Sequence, residues 1–493
     1  MLLKGKPNKK EKGILLPLSA LPSKHGIGTF GVEAYDFIDF LASSGQNYWQ
    51  MLPLVPIGKG NSPYSSTSCF AGEILYIDLD MLITDGWLTK SEISYCEFGK
   101  NIDYKAVREY KIPYLKKAAK NFDIENKDFE NFLQKNSFWL TDYALFMAIK
   151  DGMCGLSFLK WNDGLKYRLP DAIYEFEKTH KEEILFYEIT QYFFFKQYNR
   201  LRNYAKASNI KIIGDIPFYV SLESADVWAN NDVFKLGRDM TPVTVAGVPP
   251  DVFSDIGQLW GNPVYNWEFL KNTDYDWWRK RLIHNAEIYD VIRIDHFRAF
   301  ADYYTIPAGA KDARYGNWEK GAGINFWSSM QQIIKNTEII AEDLGGETSK
   351  IVQDLITDTG FPNMKVLQFG FNTNLSNPFL PKNFGYNCVC YTGTHDNDTT
   401  YGWYKNLKPK ERIMFERLVP RRKVNSPVFA LISYGMKSKA KNVIIPLWDY
   451  LELDSNCRLN IPGRPYGNWE WRFLKTDIND ELIKTVIKLS KRK

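Results

Sequence analysis

Three short acidic stretches hold the residue types from which a reaction can be built. In chain order they are Arg293-Ile-Asp-His-Phe-Arg298, Ala341-Glu-Asp-Leu-Gly345 and Thr392-Gly-Thr-His-Asp396. Each sets a carboxylate at the end of a short apolar run, and such runs read as buried strands of a parallel sheet. Asp295, Glu342 and Asp396 gathered at strand ends, with Arg293, His296 and His395 beside them, suit work on a glycosidic bond. One carboxylate attacks, a second moves the proton, and a third grips the sugar.

Strand alternation puts Val291, Arg293 and Asp295 on one face and Ile292, Ile294 and His296 on the other. A guanidinium two residues before a carboxylate keeps it ionised and oriented, as a nucleophile requires. The same pair serves equally as an ion pair in a barrel wall. Glu342 ends the apolar Ile339-Ile-Ala. An apolar setting raises the pKa of a Glu, which suits a general acid near neutrality; a loop or helix cap is an equal use of a lone Glu there. His395-Asp396 suits the binding of sugar hydroxyls. A Ser-His-Asp triad is disfavoured, because no Gly-x-Ser-x-Gly elbow is present. With five His and no His-Glu-x-x-His spacing, a metal centre is not expected. Asp215, at the end of Ile212-Ile-Gly, reads as support for the barrel lumen or for Asp295.

Eight apolar runs can position these groups: Gly13–Ser19, Tyr48–Leu54, Lys211–Tyr219, Val291–Phe297, Ile339–Leu344, Lys365–Phe371, Cys388–Asp396 and Val443–Trp448. Helical stretches such as Glu33–Ser44, Trp277–Tyr289, Phe326–Lys335 and Ser349–Thr357 lie between them. Strand–helix alternation repeated eight times predicts an α/β fold, a (β/α)8 TIM barrel whose site lies at the C-terminal strand ends. Residues 1–57 hold the first two strands and 206–220 the third. Residues 58–205 read as a mainly helical insertion, and 221–275 as a loop region over the site. Residues 276–493 supply strands four to eight and a C-terminal helix, with no C-terminal β-sandwich domain.

The bulk composition narrows the class. The 493 residues carry a net charge of only +5 and show no basic stripe, so nucleic acid is not an expected partner. No run reaches the ~18–20 apolar residues of a membrane span. Aromatic residues make up 15%, including 15 Trp; part builds a large core, and rings of this kind also stack on sugar faces. Six Cys are scattered without Cys-x-x-Cys spacing, which fits reduced thiols in a cytosol. Basic Lys4–Lys12 before Ile14-Leu-Leu-Pro-Leu imitates a signal peptide. Pro17 interrupts the run and no small-residue cleavage site follows, so a cytoplasmic protein is expected.

With these residues in hand the chain resembles the 4-α-glucanotransferases of the amylomaltase (disproportionating enzyme) type, glycoside hydrolase family 77, in the α-amylase clan. The resemblance runs from Leu16-Pro-Leu-Ser-Ala-Leu-Pro22 through Trp49-Gln-Met-Leu-Pro-Leu54, Ser62-Pro-Tyr-Ser65 and Gly214-Asp-Ile-Pro217. It continues in Gly247-Val-Pro-Pro-Asp251, Gly257-Gln-Leu-Trp-Gly-Asn-Pro263 and the acidic stretches, and ends at Gly467-Asn-Trp-Glu-Trp-Arg472. It implies Asp295 as nucleophile, Glu342 as acid/base and Asp396 as the third carboxylate. Arg293 and His395 would touch the donor sugar, with His296 nearby. Tyr64, Asp215, Trp260, Phe253 and Asn468 are further implied glucan contacts. The family implies no cofactor and no metal. It implies α-1,4-glucans as partners: maltooligosaccharides and dextrins of starch or glycogen. Oligomeric state stays open. Two positions depart from the pattern: Val252, where relatives carry an aromatic in the loop over the site, and Ala299, where a Gly is usual. The segment Val248–Trp267 is the expected lid. A glucan hydrolase on the same scaffold and a catalytically idle glucan-binding protein are the alternatives; a branching enzyme is a weaker one.

Overall fold

The computed structural model describes residues 10–250, 254–344, 349–419 and 425–491. Among them run twelve strands: β1 (Glu11–Leu15), β2 (Tyr48–Gln50), β3 (Lys211–Ile216), β4 (Thr244–Val248), β5 (Gln258–Pro263), β6 (Val291–Ile294), β7 (Asp302–Pro307), β8 (Asn317–Lys320), β9 (Glu338–Ala341), β10 (Asn363–Val366), β11 (Cys388–Tyr391) and β12 (Asn442–Pro446).

Eight of these close a barrel in the order β1-β12-β11-β10-β9-β6-β3-β2, with every pairing parallel. Each overlaps one of the eight apolar runs of the sequence, β10 only at Lys365 and Val366, after which Leu367–Gly370 turns helical. Every residue of β6, β11 and β12 is buried, because helices cover the outside and side chains fill the lumen. Such strands need no alternation, which is why they read as continuous apolar runs. Helices Val32–Ser43, Asp276–Ile288, Lys350–Thr359, Pro427–Met436 and Asp480–Ser490 belong to the outer layer.

The register sets the level of the acidic residues. Asp215 pairs with Arg293, and Ile294 with Ala341. The ladder runs one step further: the Asp295 N–H donates to Ile216 C=O at 3.0 Å and the Glu342 N–H to Ile294 C=O at 3.1 Å. Asp295 and Glu342 therefore leave two adjacent strands at the same height, on the C-terminal rim. Close packing behind them requires glycine at 214, where a Cβ would lie 2.2 Å from the Tyr289 ring.

Between β2 and β3 stand the long helices Tyr104–Asn121, Lys127–Gly152 and Lys181–Ala207. The last buries thirteen of its residues, among them Phe186, Phe193, Phe194 and Tyr198. Its middle, Ile189–Phe195, is buried on every side, as in a helix enclosed by its neighbours.

One feature differs from the sequence reading. β5, β4, β7 and β8 form a separate antiparallel sheet, in that order. It has a small core of Val245, Tyr304, Ile306 and Ala313. β4 and β5 arise where loops were expected, and β7 and β8 interrupt the barrel's second half. The reason is physical: β8 is mostly exposed and β5 only part-buried, so neither shows an apolar run. The turn Phe297–Phe300 ties this sheet to β6, with Arg298 bonded to Asp302 at 2.7 Å and set 4.3 Å over the Trp318 ring.

Candidate active site

Arg293 is the hub. Its side chain lies inside the barrel, where one Nη donates to both oxygens of Asp215 at 2.6 and 2.7 Å. The other Nη donates to Asp295 Oδ1 at 2.9 Å. A guanidinium fork held on one side by a buried carboxylate can aim the second carboxylate with little freedom left. Asp215 is itself buried, with its carboxylate bonded to Arg293 and Tyr64.

The chain of bonds continues across the rim. Tyr64 OH donates to Asp215 Oδ2 at 2.7 Å, and His395 Nε2 lies 2.9 Å from the same phenol oxygen. The phenol has one proton, given to Asp215, so His395 must donate through Nε2; this fixes its tautomer. The two rings also stack, 5.3 Å apart and 16° from parallel. His395 Nε2 then approaches Asp396 Oδ2 at 3.3 Å. Asn460 Nδ2 donates to Asp396 Oδ1 at 2.6 Å, and Arg458 to the Asp396 carbonyl at 2.6 Å. One connected network therefore joins Asp295, Arg293, Asp215, Tyr64, His395 and Asp396.

Glu342 is held differently. Its carboxylate accepts the backbone N–H of His296 at 2.6 Å and of Leu344 at 2.7 Å. His296 itself adopts a left-handed conformation, φ 52°, so the extended strand does not run on through it. Strand alternation therefore stops at Asp295. The side chain of Glu342 is nearly enclosed, whereas that of Asp295 is 28% exposed. An attacking group must be reachable, and Asp295 is.

Burial raises the pKa of both carboxylates. For Glu342 the negative charge of Asp295 adds to burial, while Arg293 and the two N–H donors oppose it. For Asp295 the Arg293 guanidinium is the main opposing influence. Glu342 is displaced further. The pair is split in the direction that separates a proton donor from a nucleophile. Burial, with the Arg298 charge, lowers His296 to about 3, so that ring is a neutral hydrogen-bonding group. Burial beside Asp215 holds Tyr64 well above its ordinary value, hence protonated.

Aromatic rings flank the rim. Trp260, on β5 and 37% exposed, stands edge-on to His296 at 4.8 Å. Trp469 leans on Tyr64 and His395 at 5.9 and 5.8 Å. Asn468 is placed otherwise than a sugar contact: its amide bonds Ile461 and Arg464 within its own loop. Phe253 and Val252 lie outside the described residues. Asn460, Arg458 and Trp469 were not singled out from the sequence. Trp469 sits inside the quoted Gly467–Arg472 stretch and was findable there; Asn460 and Arg458 are lone polar residues with no pattern around them. Among the described residues one grouping has metal-like spacing, His25 with Asp78 and Asp80. It shares no residue with the acidic trio, and the Lys24 ammonium already rests 2.7 Å from Asp80.

A closed parallel barrel with two unequal carboxylates side by side on its C-terminal rim, a third across it and aromatic rings around it defines a glycan-processing enzyme. Residues 16–477 match the sequence profile of the family described as 4-alpha-glucanotransferase. The chain belongs to that family and is an enzyme of the 4-alpha-glucanotransferase type. It is 40% identical over 483 residues to the 4-alpha-glucanotransferase of Clostridium butyricum, covering 96% of this chain and 98% of that one. It is 41% identical to that of Thermus thermophilus, covering 95% and 96%. Among solved structures, the amylomaltase from Streptococcus agalactiae in complex with acarbose superposes with a TM-score of 0.94 at 37% identity, covering 98% of this chain and 99% of that one.

Proposed function

We propose that Asp295, Glu342 and Asp396 carry out a retaining double displacement on α-1,4-glucans. Asp295 attacks the anomeric carbon, and the bond from that carbon to the leaving oxygen breaks as Glu342 gives it a proton. A β-linked glycosyl ester of Asp295 forms. The 4-OH of glucose or of a second glucan then attacks the same carbon, Glu342 takes up its proton, and the Asp295 carboxylate leaves. Two inversions restore the α configuration. Asp396, held by Asn460, hydrogen-bonds the sugar hydroxyls, and Arg293 and His395 line the donor position. His296 lies nearby, with Trp260 edge-on to its ring.

The observation that carries this reading is the pair itself. Asp295 and Glu342 leave adjacent strands at one level, and their surroundings push Glu342 the further toward holding its proton. The two N–H donors on Glu342 favour its ionised form, which is the form the second step needs. The substrates we assign are maltooligosaccharides and dextrins of starch or glycogen. A cytosolic setting is supported by the six free cysteines.

The test is incubation of the pure protein with maltotriose, without added metal, and separation of products by size. Glucose with a ladder of longer maltooligosaccharides is expected. Glucose and maltose alone overturn transfer in favour of hydrolysis. Asp295→Asn should lose all but a few per cent of activity while keeping its fold; more than that removes Asp295 from the nucleophile's role.

A further inference from the structure

A cavity of about 200 Å³ opens between the helical insertion and the barrel wall, away from the acidic trio. A single water needs only ~10–15 Å³ of such space, so the cavity admits a ring-sized solute. One wall is aromatic. Phe138 and Trp139 come from the helix Lys127–Gly152, and Trp277 from the helix Asp276–Ile288. Phe138 remains 41% exposed although it lines this space.

The opposite side is polar and short: Asn230 and Thr273, with Asp226 buried and its two oxygens bonded to the N–H and Sγ of Cys69. The Asn230 amide nitrogen bonds the Asp226 carbonyl, which leaves its amide oxygen unused among the described residues. The charges here are already balanced. Asp142 pairs with Arg168 at 2.6 Å and Asp276 with Lys280 at 2.7 Å. Burial pushes Asp226 up to about 6, which lowers its appetite for a cation. An anion would meet three carboxyl groups. A neutral, hydroxyl-rich ring with C–H faces fits both walls, because aromatic faces take the C–H surface and short polar groups take the hydroxyls.

We propose that this cavity is an accessory site for one glucosyl unit of an α-glucan strand. The proposal rests on the glucan-transferase reading above. The segment Ser66–Phe70 forms the partition between the two sites. Ser66 and Cys69 line a small cavity together with Tyr64 and Asp215, whereas Ser68 and Phe70 line this one. A strand held on one side of that partition is kept at high local concentration near the cleft on the other.

The experiment uses full-length Asp295→Asn protein titrated calorimetrically with maltohexaose. Two binding events are expected. Adding Phe138→Ala should weaken one of them about tenfold and spare the other. Thr273→Trp fills the cavity from its exposed rim and should abolish the same event, which covers the case in which Phe138→Ala fails to fold. A single event untouched by either change, or a second event that survives Thr273→Trp, overturns the accessory site. Maltotriose turnover by the wild-type protein reads the transferase assignment separately: turnover with one binding event sinks the accessory site alone.

Discussion

Glu342 holds the sharpest conflict among the side chains of the site. Two backbone N–H groups favour its anion, while burial and the Asp295 charge favour its neutral form. The pH dependence of kcat/KM exposes the balance. In the proposed mechanism Glu342 holds its proton in the first step, so activity is expected to be lost as pH rises through its raised pKa. The alkaline limb should therefore lie above the ordinary range of a Glu. In the same mechanism the acid limb reports protonation of Asp295 and should start above the ordinary Asp range, because that pKa is raised too. Glu342→Gln should lower kcat by ~10²–10⁴ and erase the alkaline limb; a limb that persists belongs to another group. Tyr64→Phe removes the donor to Asp215 and the acceptor of His395. A loss of about 10–100-fold in kcat/KM is expected with the fold intact by circular dichroism, in line with ~1–3 kcal/mol for a disturbed buried hydrogen bond.

Among the secondary-structure elements, legibility followed burial. Ile339-Ile-Ala341 and Cys388-Val-Cys-Tyr391 are covered on both faces, so nothing but apolar side chains fits and the strand shows in the sequence. Asn317-Trp-Glu-Lys320 is covered on little more than one edge and its residues could equally be a turn. Asp295 and Glu342 were legible because they end such covered runs. The left-handed turn at His296 was not, since no Gly marks it. Asn460 reaches Asp396 across 64 positions of chain, a distance local patterns do not span. Within β3, Gly214→Ala would drive a methyl into the Tyr289 ring. Overpacking of a closed core costs ~1–3 kcal/mol, so a lower thermal midpoint is expected, with Tyr289→Ala restoring part of it. An unchanged midpoint would mean that the ring moves freely.

Across the whole molecule, the insertion and barrel meet around His284. Its Nε2–H donates to Phe70 C=O at 2.9 Å, and rings of Phe138, Trp139 and Phe195 surround it. Burial lowers its pKa to about 4 from 6.5. The folded value lies below the unfolded one, so the contribution to stability is complete above pH ~6.5 and is lost as pH falls toward ~4, by up to about 3 kcal/mol. Thermal melts across that interval should show the loss, and His284→Gln should flatten it. A wild-type curve that stays level would exclude His284 as the acid-sensitive point of this seam.

The barrel is closed by its first and last strands, β1 against β12. On the ribosome this ordering has a price in time. The edge of β1 is made more than four hundred residues before the strand that covers it. Throughout that interval a strand ending in the apolar Ile14-Leu15 offers unpaired N–H and C=O groups to any passing chain, the situation in which intermolecular sheets begin. Vectorial synthesis therefore leaves this enzyme dependent on whatever shields β1 until β12 emerges.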